Sequence, residues 1–239
     1  GAGRTAARAP AGAGRSAGRP VIWDWHFAAE IFPKIVLDGL RITLGATVFG
    51  SIVAYALGLA LALLRRSPVA VVRTATWAFI EFIRSTPLLV QIFFLFFVLP
   101  SVGLKFDPLI TGVIAIGVHY SAYTAEVYRA GIEAVPAGQW EAAVALNLPV
   151  RRTWTAVILP QAVPRVLPAL GNYTISMLKE TPLLLTIGVL DIVGAANQVG
   201  SRAFRYVEPI TIAGVLFLVL SYSASLLVRW MERRVRYNT

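Results

Sequence analysis

Five long apolar stretches follow one another along the chain after its first 35 residues, with short polar segments between them. A helix needs about 20 residues to cross the hydrocarbon core of a bilayer, and each stretch is long enough. The pattern predicts an all-α polytopic membrane protein with about five transmembrane helices. The predicted spans are residues 36–64, 78–100, 108–130, 164–188 and 209–230.

Residues within and between these spans predict local features. Residues 69–77 are expected to form a short connection, and residues 189–208 a helix on the outer surface. Pro164 and Pro168 are expected to interrupt the fourth span, because proline breaks the hydrogen-bond ladder of a helix. The first span contains small residues that permit close contact between helices, namely Gly39, Gly45, Gly50 and Gly58.

Composition agrees with a membrane protein and excludes several other classes. Of the 239 residues, 57% are hydrophobic and 14% are charged, whereas a soluble domain has about 25% charged residues. The net charge of +10 comes largely from arginines beside the apolar stretches, so we expect no nucleic-acid partner. The absence of cysteine excludes disulfides and thiolate metal sites. His26 and His119 are interpreted as lone polar residues, not metal ligands.

The chain before the first span divides into two segments. Residues 1–20 are rich in Gly, Ala and Arg and predict a disordered tail. Residues 21–35 carry several aromatic residues among charges and predict a segment at the membrane interface. Arginines between and after the spans favour an outer N-terminus and a cytoplasmic C-terminus, although the four arginines of the tail argue the other way.

The most distinctive polar stretch is EAAVALNLPVRRTWTAVILPQ, residues 141–161. It predicts two short helices separated by a bend, because Asn tolerates left-handed backbone angles and Pro disfavours helix just before itself. Such a compact knob either docks in a groove on a partner or packs on its own protein. A second proline is expected to stop or bend the second helix. The residues that carry these features are Glu141, Ala142, Ala143, Asn147, Leu159 and Pro160.

Polar side chains inside the spans mark a candidate substrate pathway. Ionisable residues in a span cost roughly 2.5–3.5 kcal/mol each and usually face the interior of the bundle. The sequence KETP, residues 179–182, predicts a discontinuous helix of the kind that forms transporter sites. The amide at position 91 needs a partner, either another helix or a substrate. The candidate pathway residues are Thr86, Gln91, Tyr123, Lys179, Glu180 and Thr181.

A second polar group lies in the sequence EFIRSTP of the second predicted span. Glu81 and Arg84 are three residues apart and are expected to form a structural ion pair on one helix face, with substrate contact as the alternative. Pro87 is expected to bend the helix and to free the carbonyl at position 83.

Several of these blocks resemble permease subunits of bacterial ABC importers. EFIRSTPLLVQ, AYTAEVYRAGI, the EAA stretch, LPALGNY and LKETPLL are similar to the polar-amino-acid branch, and the resemblance extends from residue 23 to 236. The family usually has Gly where this chain has Asn147. WDWHF, EAAVALN, KETPLL and FRYVEP look like the ectoine and hydroxyectoine permeases of that branch. A glutamate, glutamine or basic amino-acid permease is the alternative.

The resemblance implies a type I ABC importer permease, whose subunits work as dimers in the bacterial cytoplasmic membrane. Residues 137–161 would form the EAA coupling loop, which fits a cleft in the ATPase subunit. The implied partners are two ATPase subunits, an extracytoplasmic solute-binding protein and a second permease, with a heterodimer favoured and a homodimer open. No cofactor is expected on this chain, because it lacks a phosphate-binding G-x-x-x-x-G-K-[ST] loop. ATP and Mg would be used by the separate ATPase, so the chain itself is not expected to be an enzyme.

A zwitterionic solute such as ectoine needs an acceptor, a donor and apolar or aromatic walls, and the candidate pathway residues supply these groups. Among other classes, an ion-coupled secondary transporter would typically show inverted repeats, and the chain shows none.

Overall fold

The computed structural model describes residues 23–236, with side chains to residue 234, and these residues form helices and no strand. The predicted all-α class is therefore confirmed. Residues 1–22, including the predicted disordered tail, lie outside the described part. The helices are α1 (Trp25–Leu64), α2 (Ala70–Arg84), α3 (Leu88–Val102), α4 (Pro108–Glu133), α5 (Ala137–Ala145), α6 (Val150–Ile187), α7 (Ile192–Ala203) and α8 (Val207–Arg236).

The first span begins earlier than predicted. Asp24 caps α1 by accepting hydrogen bonds from the backbone N–H groups of His26 and Phe27, at 3.0 and 3.1 Å. The helix then continues for 40 residues, through a π-helical segment at Ile35–Leu40. Most of the predicted interfacial segment is thus helical and continuous with the span.

The prediction of a connection at residues 69–77 is wrong, because α2 begins at Ala70. Thr76, Ile80 and Ile83 are buried at spacings of four and three residues, which is the periodicity of a helix with one packed face. The chain turns instead within residues 65–69.

The second predicted span is broken, as expected from Pro87. α2 and α3 meet at 104°. Proline has no backbone N–H to donate to the carbonyl four residues earlier, so the carbonyl of Ile83 receives no helical hydrogen bond from position 87. That carbonyl accepts hydrogen bonds from Gln91 Nε2 at 2.9 Å and from the hydroxyl and backbone N–H of Thr86 at 3.2 and 3.4 Å.

The predictions that Pro160 stops its helix and that Pro164 and Pro168 interrupt the fourth span are wrong. The helix runs from Val150 through Pro160, Pro164 and Pro168 without a break in helical backbone. Pro160 occupies the first turn of the α-helical part, Leu159–Glu180, directly after the π-helical turns Thr153–Ile158. Its missing N–H is tolerated at that position.

The helix discontinuity predicted at residues 179–182 lies at Thr181, after the three prolines. There α6 changes from α-helical to 3₁₀ geometry and continues to Ile187, and Gly188 then adopts a left-handed backbone with φ of 85°. The next helix, α7, follows at 44°. It begins at Ile192 within the predicted outer segment, and Ile192, Ala196 and Val199 are buried.

Membrane-spanning capacity is distributed unevenly over the described helices. α1 and α8 are each long and apolar enough to cross a bilayer, and the bent pairs α2–α3 and α6–α7 each pass the same criterion together. α4 has 26 residues but many polar ones, and it packs against α1, α2, α3 and α6. Four of its polar side chains are buried inside the bundle, namely Thr111, His119, Ser121 and Thr124.

A close helix contact joins α1 to α4 at Gly58. A Cβ atom there would collide with Thr124 Oγ1 and would lie 2.9 Å from the carbonyl oxygen of Ser121. Thr124 in turn donates a hydrogen bond to the carbonyl of Ala54 at 2.8 Å. Gly58 thus permits the predicted close helix contact, whereas Gly45 faces open space.

Gly58→Val is expected to destabilise the folded protein by about 1–3 kcal/mol, because the added methyl groups would push α1 away from α4. Thermal unfolding of the purified protein in detergent measures the loss. The control is Gly45→Ala, since nothing lies within 4 Å of a Cβ at that position. Equal melting of the two variants would contradict this account of the contact.

Two sequence blocks that lie far apart in the chain meet at one end of the bundle. Arg205 forms ion pairs with Asp24 and Glu208, and the backbone N–H of Asp24 donates to Glu208 Oε1 at 3.2 Å. These residues belong to the WDWHF and FRYVEP blocks. They tie the start of α1 to the turn between α7 and α8.

Candidate functional site

The first part of the candidate site lies at the break between α2 and α3. Gln91 Nε2 donates to Thr86 Oγ1 at 2.7 Å as well as to the carbonyl of Ile83. Gln91 Oε1 lies 3.2 Å from His119 Nδ1 on α4. Gln91 therefore finds its partners inside its own chain, where it joins the two sides of the bend to α4.

An aromatic cluster continues from this network into the bundle. Its members are His119, Tyr120 and Tyr123 on α4 and Tyr173 on α6, with neighbouring ring centroids 5.3–5.9 Å apart. Tyr120 is buried, whereas Tyr123 is only partly buried. The cluster supplies an aromatic wall between the break in α2–α3 and the end of the α-helical part of α6.

Glu81 and Arg84 approach each other to 3.3 Å near the break, with both side chains well exposed. The guanidinium of Arg84 also lies over the ring of Tyr123, 5.5 Å from its centroid. Arg84 therefore brings a positive charge to the edge of the aromatic cluster.

Glu180 is the residue of this site with an unsatisfied polar atom. Its Oε2 is buried and has no hydrogen-bond partner among the described residues. The carboxylate neighbours Tyr120, while the preceding Lys179 side chain is exposed. A buried acceptor without a donor is costly, so this position favours a ligand that brings a donor.

Thr181 does not join the other predicted pathway residues. It is fully buried, and its hydroxyl donates to the carbonyl of Leu178 at 3.0 Å and lies 3.3 Å from Asp191 Oδ2. Asp191 in turn caps α7 by accepting from the backbone N–H of Gly194 at 2.8 Å. Thr181 therefore fastens the start of the 3₁₀ segment to α7.

His119 belongs to the site, whereas the sequence predicted only a lone polar residue at this position. It stands four residues before Tyr123, on the same face of α4, and that spacing is the signal that identifies it. Among residues 23–236, no group of three or more His, Asp or Glu side chains is arranged to hold a metal ion.

The second part of the candidate site is the knob formed by α5 and the start of α6. Asn147 adopts the predicted left-handed backbone, with φ of 50°. The backbone N–H of Leu148 donates to the carbonyl of Ala143 at 3.0 Å and thereby closes the end of α5. α5 itself begins at Ala137, four residues before Glu141.

The inner side of the knob is packed on the protein. Ala143 and Ile158 are buried, at 2% and 0% exposure. The rings of Trp140 and Trp154 meet edge to face, with centroids 5.4 Å apart. These contacts hold α5 and α6 at a fixed angle, while Leu159 and Pro160 remain exposed on α6.

The outer side of the knob presents an apolar surface, defined here as Val144, Leu146 and Val150 and called the knob surface. These three side chains are 72–75% exposed. A cavity of about 590 Å³ adjoins the surface and is lined by Glu141, Trp140, Leu148 and Trp154 among others. Exposed apolar side chains around a concave site are typical of a protein interface.

Known proteins resemble this chain over most of its length. Residues 36–237 match the family model described as "Binding-protein-dependent transport system inner membrane component". A probable amino-acid ABC transporter permease protein of Sinorhizobium fredii is 47% identical over 86% of this chain and 89% of its own length. The arginine transport system permease of Bacillus subtilis is 34% identical, over 89% of this chain and 98% of its own length.

A solved structure has the same fold. A crystal structure described as an amino acid ABC transporter with histidines superposes with a TM-score of 0.83 at 35% identity. The superposition covers 89% of this chain and 99% of that chain.

Proposed function

Because the chain belongs to the family of inner-membrane components of binding-protein-dependent transport systems, we propose that its knob couples a separate ATPase to a solute pathway through the bundle. The chain is a permease subunit of an amino-acid ABC importer. ATP hydrolysis takes place on the ATPase partner, which supplies the nucleotide and magnesium chemistry.

The knob surface is the observation that carries this proposal. Val144, Leu146 and Val150 are exposed on a part of the chain that is predicted to lie between two spans, outside the bilayer. Glu141 lines the adjoining cavity and adds a charge to its rim. When ATP binding closes two ATPase subunits, the knob moves with them and shifts the attached spans to face outward.

The solute pathway runs along the aromatic cluster, between the break in α2–α3 and Glu180. The unpaired Oε2 of Glu180 accepts a hydrogen bond from the cationic group of a zwitterionic solute. Lys179 supplies a donor for the solute's carboxylate, and Tyr123 supplies an aromatic wall. Thr86 and Gln91 hold the bend that shapes this pathway.

The solute is a small zwitterion of the polar amino-acid class, with ectoine or hydroxyectoine as the candidate that the WDWHF and FRYVEP blocks favour. A basic amino acid is the second candidate, because a relative at 34% identity is named an arginine permease. Uptake by proteoliposomes with internal ATP, tested with labelled ectoine, arginine, glutamine and glutamate, separates the candidates. Uptake of ectoine alone supports ectoine as the solute. Uptake of arginine alone supports a basic amino acid instead.

The proposed orientation places the knob in the cytoplasm and the turn between α7 and α8 outside. Phe204 in that turn is 91% exposed and has a left-handed backbone, with φ of 52°. An exposed aromatic side chain in a strained turn supports docking of the solute-binding protein there. A second permease subunit, in a heterodimer, completes the channel.

A further inference from the structure

A basic cavity lies at the same end of the bundle as the knob, between the ends of α1 and α4 and the start of α2. Its volume is about 380 Å³. We call it the basic pocket, and its lining residues are Arg65, Arg66, Arg73, Thr74, Trp77, Arg129 and Glu133. The solute pathway and the knob surface do not use this cavity.

Two of the four arginines are neutralised within the protein. Arg65 pairs with Glu126, and Arg129 pairs with Glu126 at 2.8 Å and with Glu133 at 2.6 Å. The two carboxylates thus offset two of the four positive charges. The pairs also fix the positions of Arg65 and Arg129 at the wall of the pocket.

Arg66 and Arg73 form no ion pair among the described residues. The guanidinium of Arg66 lies 5.7 Å from the ring centroid of Trp154, and Arg73 donates to the carbonyl of Ser67 at 3.3 Å. Both side chains are exposed. The pocket therefore carries two uncompensated positive charges on guanidinium groups, which bind phosphate oxygens in pairs of hydrogen bonds.

Exposed apolar side chains neighbour the lining residues of the pocket along the chain. Leu63 and Leu64, the last residues of α1 before Arg65 and Arg66, are 51% and 47% exposed, and Val71 on α2 is 77% exposed. Trp77 lines the pocket and is 48% exposed, as expected of an aromatic residue at the membrane interface. A phosphate in this pocket would thus lie beside the exposed ring of Trp77, with the other apolar side chains within two residues of lining arginines.

We propose that the basic pocket binds the phosphate head group of an anionic phospholipid of the cytoplasmic leaflet, with the acyl chains along the apolar residues beside it. Basic pockets between membrane helices on the cytoplasmic side suit such head groups. A bound lipid would fill the space between α1, α2 and α4 next to the knob. The lipid proposal rests on the proposed function in one respect only, the orientation that places this end of the bundle on the cytoplasmic side.

Lipid retention by the purified permease–ATPase complex in detergent tests the proposal without measuring transport. Native mass spectrometry would follow binding of phosphatidylglycerol, phosphatidylcholine and glycerol 3-phosphate. Phosphatidylglycerol is expected to bind in preference to the other two. Arg66→Gln/Arg73→Gln is expected to weaken its binding roughly 30-fold, because each basic side chain contributes to attraction of an anionic lipid.

The matched control is Arg229→Gln/Arg233→Gln, which removes two exposed arginines near the C-terminal end of α8. This control is expected to retain the lipid. Three results would each overturn the proposal: an equal loss in the control, binding of glycerol 3-phosphate as strong as that of phosphatidylglycerol, or release of the ATPase from the double variant with lipid binding unchanged. The second result would assign the pocket to a free phosphate ester, and the third to the protein partner.

Discussion

Leu146→Asp is expected to weaken binding of the ATPase subunit by at least about 30-fold, because it places an unpaired charge in the centre of an apolar contact. Leu146 is 72% exposed in the isolated subunit, so the substitution removes no internal packing. Titration of purified ATPase onto the permease in nanodiscs measures the affinity. Co-purification shows first whether the complex still forms.

The control for this variant is Thr155→Asp, which adds the same charge to the other helix of the knob. Thr155 is exposed, its hydroxyl donates to the carbonyl of Arg151 at 2.9 Å, and it is not among the lining residues of the cavity beside the knob surface. Its affinity for the ATPase is expected to stay within a few-fold of that of the unmodified protein. Equal affinities for Leu146→Asp and Thr155→Asp would show that the ATPase binds elsewhere.

Glu180→Gln is expected to raise the solute concentration for half-maximal uptake by at least about 100-fold. The amide keeps the shape of the side chain but removes the charge that pairs with the solute's cationic group, and loss of one partner of a buried pair costs about 3–5 kcal/mol. Uptake by proteoliposomes measures the effect. Assembly with the ATPase should be unchanged, because Glu180 is remote in sequence from the knob.

Glu30→Gln serves as the control for the second prediction, since Glu30 is an exposed carboxylate on α1. Its half-saturating concentration is expected to match that of the unmodified protein. If Glu180→Gln lowers the maximal rate but leaves the half-saturating concentration unchanged, the residue acts in the conformational cycle and does not bind the solute.

Local backbone chemistry explains the features that the sequence predicted well. The left-handed turn at Asn147 depends on a side chain that tolerates that conformation, and the bend at Pro87 depends on one missing N–H group. Both effects act within four residues of their cause. The helical class follows with equal directness from the length of the apolar stretches.

Contacts between distant segments explain what the sequence did not show. His119 enters the site through Gln91, 28 residues away, and Thr181 turns away from the site to meet Asp191. Pro160 is a local exception. It does not stop α6, because it stands in the first turn after π-helical backbone. A periodicity of apolar positions carries no information on which side chains of different helices meet.

ATP hydrolysis by the importer reconstituted in lipid tests the central claim most directly, when it is measured with and without solute-loaded binding protein. The account predicts that the loaded binding protein stimulates hydrolysis severalfold and that Glu141→Lys abolishes this stimulation. Glu141 is exposed at the rim of the cavity beside the knob surface, so the substitution leaves the fold intact. Full stimulation of the Glu141→Lys complex, or no stimulation of the unmodified complex by any loaded binding protein, would contradict coupling through the knob.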